Sequence, residues 1–159
     1  MVGAGSRRRA LGVVALVVVL AAGLAGCKRD PGPASRNRVV WDHNATRLAL
    51  GLEAFAVDDR ATWYAQLAAN RVAGDSGNTG CVLNHTSDDE LRADYRAAGV
   101  WGENIGCFPG CTRAAPGATQ EFLNSAGHRA NILSPDYRRF GVGVSCNDRY
   151  LFVAVQFSG

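Results

Sequence analysis

Apolar positions recur every three or four residues through the first half of the chain and every second residue at its end. That change of period predicts helices followed by strands. Trp41, Ala45, Leu48, Leu52 and Phe55 share one helical face, so a first helix should bury that side. A second helix, capped by Asp58 or Asp59, would place Tyr64, Leu67, Ala68, Arg71 and Val72 together. Residues 74–80 (GDSGNTG) read as a loop. Ser87 and Glu90 have capping-box spacing for a third helix running to about Ala98, before Gly99. A fourth should cover Ala115 to Ser125 and end at Ala126-Gly127. His128 would then stand at a junction, where its ring can face a cleft. Beyond it Val142, Val144 and Cys146 alternate with Gly141, Gly143 and Ser145, and after an Asn147-Asp148 turn Leu151, Val153, Val155 and Phe157 alternate again. That is a hairpin pattern. Trp101 to Cys107 reads as another short strand. The order predicts an α+β fold, a small antiparallel sheet flanked by helices. Trp41, Trp63 and Trp101 are expected in the core. Gly141 and Gly143 are expected to mark close backbone packing.

The N-terminus does not fit this pattern. Arg7, Arg8 and Arg9 precede an uncharged apolar run from Ala10 to Gly23, followed by Leu24-Ala25-Gly26-Cys27. A charged start, a short apolar core and small residues before a cleavage point describe a secretory signal. The run is short for a membrane span, which needs about 20 residues. Leu-Ala-Gly-Cys resembles a bacterial lipobox, which implies a signal over 1–26 and a lipidated Cys27. Residues 27–37 then read as lipidated cysteine plus flexible tether, and 38–159 as one domain.

Charge and cysteines follow from that division. The chain carries 17 Lys and Arg against 14 Asp and Glu, a formal +3. Three of the basic residues, and no acid, lie in 1–26, which leaves 14 of each. Nucleic-acid binding therefore has no electrostatic support. Of five cysteines, Cys27 is assigned to lipid. Cys81, Cys107, Cys111 and Cys146 remain for two disulfides in an oxidising envelope. A four-thiolate metal site would call for paired Cys-x2-Cys spacing, which is missing. Four cysteines allow three pairings, all open.

Three polar clusters carry the candidate chemistry: Leu83-Asn84-His85; Trp101-Gly102-Glu103-Asn104-Ile105-Gly106; and Ser125-Ala126-Gly127-His128-Arg129-Ala130-Asn131-Ile132-Leu133. Two histidines and a carboxylate at element boundaries suit a divalent cation such as zinc, or a general acid/base pair. In this order, with GVGV after them and Val155-Gln156-Phe157 in the last strand, the clusters resemble the CAP superfamily (cysteine-rich secretory proteins, antigen 5, plant pathogenesis-related proteins) in its short bacterial form. The resemblance implies an α-β-α sandwich with a central cleft where two histidines and two glutamates face one another, and where some members bind a divalent cation. His85, Glu103 and His128 match three of the four. At the fourth, where many members carry an aromatic residue and a glutamate three places on, this chain has Phe122 and Ser125. Glu121, four residues before Ser125, would share its face on a continuous helix and is a candidate substitute, although a surface role is the simpler reading. Asn104 is expected to brace backbone, and His43 to belong to the packing of the first helix.

The leading expectation is a lipid-anchored extracytoplasmic protein that binds an envelope component, a partner protein or a small apolar molecule at a cleft of His85, Glu103, His128 and Ser125. One alternative is a metal-dependent hydrolase on a peptide or wall polymer, with His85 and His128 as ligands and Glu103 as ligand or base. Another is a structural envelope module with a vestigial cleft. Ser125 and His128 lack the strand–turn–helix setting of a serine nucleophile.

Overall fold

The computed structural model describes residues 31–86, 101–111 and 117–159. The signal, Cys27 and the helix expected from Ser87 to Ala98 lie outside the described residues. Four helices are present among those described: α1 (Gly32–Ala49), α2 (Asp59–Asp75), α3 (Ala118–Asn124) and α4 (Ala126–Leu133). The strands β1 (Ala56–Val57), β2 (Trp101–Pro109), β3 (Arg139–Cys146) and β4 (Tyr150–Ser158) form one sheet in the order β1-β3-β4-β2. The hairpin β3–β4 and the pair β2–β4 are antiparallel, as expected. The two-residue β1 runs parallel to β3, so the sheet is mixed.

Helices cover both faces, which gives the expected α-β-α layering. On one face Val39 of α1, Phe122 of α3 and Ile132 of α4 pack with Val142, Val144, Val153, Val155 and Phe157. On the other, Ala68, Ala69 and Val72 of α2 pack with Ile105, Phe152 and Ala154. Small residues on this second face let α2 approach closely. Asp58 caps α2, its carboxylate accepting from the N–H of Ala61. The cysteines pair as Cys81–Cys107 and Cys111–Cys146.

Three expectations need correction. The first helix begins at Gly32, so residues 32–37, assigned to the tether, are helical, with Ser35 buried. Its buried face is Ser35, Val39, His43 and Arg47, not the Trp41 face. Trp41 is 65% and Leu48 61% exposed, and Trp63 is also outside the core. The polar face can be buried because its side chains are bonded. Arg47 donates to the carbonyls of Glu53, Ile132 and Ser134 at 2.7, 2.8 and 2.9 Å. Lastly, the helix break falls at Ser125, which is extended (φ −94, ψ 124). Ala126 and Gly127 open α4 instead of ending α3.

His43, expected in the packing of the first helix, is fully buried among Phe122, Phe140 and Phe157. Its Nδ1 lies 3.0 Å from the Val39 carbonyl and 2.8 Å from Thr119 Oγ1. A proton on Nδ1 satisfies the carbonyl and leaves Nε2, which has no hydrogen-bond partner. A second proton there would be a charge among aromatic rings. Burial accordingly lowers the pKa from 6.5 to about 4, the Val39 bond and Asp42 opposing weakly. The unfolded chain takes up this proton first as pH falls. Stability is thus full above pH 6.5 and lost as pH drops through that value towards 4, by about 3 kcal/mol. Urea melts from pH 7 to 4 are expected to show this excess slope in the wild type but not in His43→Gln. Equal slopes would refute it.

Candidate functional site

Alternation along β2 sends neighbouring residues to opposite faces of the sheet. Glu103 pairs across the sheet with Gln156, which in turn pairs with Gly141. This row lies on the α2 face. Asn104 points to the α4 side. One dipeptide therefore serves two layers.

Glu103 is 8% exposed, and its carboxylate receives four hydrogen bonds. Oε1 accepts from His85 Nδ1 at 2.8 Å and from the Thr86 N–H at 3.0 Å. Oε2 accepts from the Thr86 hydroxyl at 2.6 Å and from the Gln156 amide. Both of its oxygens serve as acceptors, two bonds to each. Because a carboxylate can only accept here, His85 must carry a proton on Nδ1. In the neutral ring Nε2 then carries the lone pair, which has no partner among the described residues, and the side chain is 65% exposed. This is the arrangement by which a carboxylate fixes the tautomer and orientation of a working imidazole. Glu103 thus holds His85 in place.

The loop that carries His85 is fastened along its length. Cys81 is bonded to Cys107 of β2. The Ser76 hydroxyl donates to the Val82 carbonyl and accepts from its N–H. Arg71 of α2 donates to the Asn84 carbonyl and to Thr86 Oγ1.

On the opposite face Asn104, fully buried, donates to the His128 carbonyl at 3.0 Å and accepts from Asn131 Nδ2 at 2.8 Å. It braces α4 against β2, as expected. His128 sits in the first turn of α4, half-buried, with its ring edge-on to Phe122 at 5.0 Å. Its pKa is lowered, first by burial and then by the charge of His85. His128 accordingly favours the neutral form.

Ser125 and Glu121 do not complete a tetrad. Ser125 is the extended residue between α3 and α4, so it shares no helical face with Glu121, which is exposed. Among the described residues no group of three His, Cys, Asp or Glu side chains is placed to hold a metal ion. Glu103, the nearest third ligand, has its acceptor positions taken. Among the described residues a three-ligand catalytic zinc therefore lacks its third side chain. Thr86 and Gln156 went unassigned in the sequence reading. Their only signals are a hydroxyl beside His85 and an amide in an otherwise apolar strand.

The protein-family model described as CAP, the cysteine-rich secretory protein family, matches residues 41–157. The chain belongs to this family. Solved structures share its fold. A cysteine-rich secretory protein from Staphylococcus aureus is 18% identical, with a TM-score of 0.60; the match covers 79% of this chain and 38% of that one. An outer surface protein from Borrelia burgdorferi is also 18% identical, with a TM-score of 0.68 and coverage of 84% and 97%. NaASP2, crystallised with Zn2+, is 15% identical, with a TM-score of 0.60 and coverage of 79% and 80%. This CAP chain thus spans less than half of the staphylococcal chain. No curated protein matches it. The GEN and GHRxN stretches of this CAP domain have a physical reading. A Cβ at Gly102 would lie 2.5 Å from the Tyr137 hydroxyl and 2.9 Å from Asn131 Oδ1. The glycine, Glu103 and Asn104 then fit β2 to α4 and to the His85 loop at once.

Proposed function

We propose that this CAP-domain protein works outside the cytoplasm, held to the membrane by lipid on Cys27, and that it acts by binding at the end of β2 where His85 and His128 lie. The ligand is an envelope component, a partner protein or a small apolar molecule. The arginine-led apolar leader and the Leu-Ala-Gly-Cys sequence support the anchor. Two disulfides support an oxidising compartment. The closure of Glu103 by four donors carries the binding reading. Among the described residues it leaves the two imidazoles without a free carboxylate beside them as acid or base. The imidazole signals of His85 and His128 in the disulfide-bonded domain, residues 28–159, are to be followed by NMR during titration with sodium palmitate and, separately, with muropeptides. A saturable shift of both rings without product is expected from one of them. Turnover of muropeptide that disappears in His85→Ala would replace binding with hydrolysis.

One observation favours a cation as a second ligand: the fixed tautomer of His85 leaves Nε2 free beside a neutral His128. The structural neighbour NaASP2 was crystallised with Zn2+. Calorimetric titration with ZnCl2 tests this. One equivalent bound, and lost in both His85→Ala and His128→Ala, would establish a shared two-histidine site.

A further inference from the structure

The outward face of α1 exposes large apolar side chains that no described residue covers, and its place in the chain says what covers it. Trp41 and Leu48 are 65% and 61% exposed, seven residues apart and so on one side of the helix, with Ala34 and Ala45 in line. The exposed positions of α1 include Arg38 and no acidic residue. The Arg38 guanidinium lies 5.7 Å from the centre of the Trp41 ring and is bonded to the half-buried Asp42. Tryptophan with a neighbouring arginine is the pairing that suits a membrane interface, where an apolar ring meets a polar, anionic layer. No helix among the described residues is long and apolar enough to cross a membrane, so such a face would lie on the surface.

The chain supplies the surface. Three residues separate Cys27 from Pro31, so the four Cα–Cα steps reach about 14 Å at full extension. If Cys27 carries lipid, α1 starts within that distance of the bilayer. Lys28 and Arg29 fall in the same interval with one acid, Asp30, and the net positive charge favours anionic headgroups. We infer that α1 lies along the membrane, its Trp41–Leu48 side in the headgroup layer, and so orients the domain. This rests on the lipid anchor proposed above. The fold also provides a control: α2 packs on the other face of the sheet, and its Trp63, 58% exposed, is a second surface tryptophan that lies outside α1.

The full chain, produced in a bacterial host and extracted from its membrane, is to be checked by intact mass for diacylglyceryl on Cys27. It is then reconstituted in phosphatidylcholine–phosphatidylglycerol vesicles with brominated acyl chains. Bromine is expected to quench tryptophan emission in the wild type and in Trp63→Phe, and most of that quenching should vanish in Trp41→Phe. Both positions are exposed, so neither change threatens the fold. Lipidated wild type without quenching, or quenching retained in Trp41→Phe, overturns the orientation and leaves the anchor standing. Absence of lipid on Cys27 overturns both.

Discussion

Gly143→Ala is expected to prevent the native fold. A Cβ at Gly143 would lie 2.1 Å from the carbonyl carbon and oxygen of Ala65 and 2.3 Å from the nitrogen of Gln66. Carbon atoms in contact rest about 3.5–4.0 Å apart, so more than an ångström is missing. The obstructing atoms are helix backbone, which no rotamer change can move. Helix α2 would have to lift off the sheet as a body. Lifting breaks the clamp in which Gln66 donates to the Val144 carbonyl at 2.7 Å and accepts from its N–H at 3.2 Å. It also opens the alanine-lined contact with Phe152 and Ala154. Overpacking in a core costs about 1–3 kcal/mol where side chains can yield; here the cost should exceed about 4 kcal/mol. Near-UV circular dichroism and thermal melts would report it. Gly127→Ala is the control. Nothing lies within 4 Å of its Cβ position, and in the first turn of α4 it should gain about 0.5–1 kcal/mol. A Gly143→Ala protein that melts near the wild type would show that α2 is not held at this distance.

The same glycines show how far the sequence could be read. Val142, Val144 and Cys146 alternating with Gly141, Gly143 and Ser145 revealed a strand, because a period of two needs no knowledge of partners. That the glycine side is as buried as the valine side depends on α2, whose backbone arrives from about 80 residues upstream. The face of α1 was misread for a related reason. Counting apolar residues favoured Trp41 and Leu48, whereas the buried positions include His43 and Arg47, whose burial is tolerable only because Thr119, Ile132 and Ser134 supply partners.

The candidate site divides along the same line. His85, Glu103 and His128 could be selected by residue type and motif. The role of Glu103 could not, since its donors Thr86 and Gln156 stand 17 and 53 residues away. Whether a carboxylate acts on a ligand or on its own protein depends on how many of its acceptor positions are filled. Only the fold answers that. The break between α3 and α4 was placed at Ala126-Gly127 because small residues often end helices. Gly127 instead lies inside the first turn of α4, and the break falls at the extended Ser125 before it.

Arg47→Ala is expected to cost about 3–5 kcal/mol, from buried carbonyls left unmet and the cavity the side chain vacates. Arg47 is 1% exposed. Its guanidinium lies 3.8 Å from the centre of the Phe55 ring and donates to three carbonyls. Two of these, Ile132 and Ser134, belong to the C-terminal end of α4, where carbonyls lack partners within the helix and the dipole is negative. Arg47 is therefore the C-terminal clamp of the helix whose first turn carries His128. Truncation leaves buried carbonyls unmet, each worth about 1–3 kcal/mol, and also a cavity beside Phe55. Arg47→Met, which refills much of the space, separates the two contributions. It should recover the cavity part and none of the hydrogen bonding. Denaturant melts give the total, and amide exchange gives its location. In Arg47→Met the amides of α4 should exchange faster than those of β3 and β4, because the helix end is released while the sheet persists. If Arg47→Ala stays within about 1 kcal/mol of the wild type, α4 is positioned by Asn104 and Asn131 alone. The His128 ring would then owe nothing to α1.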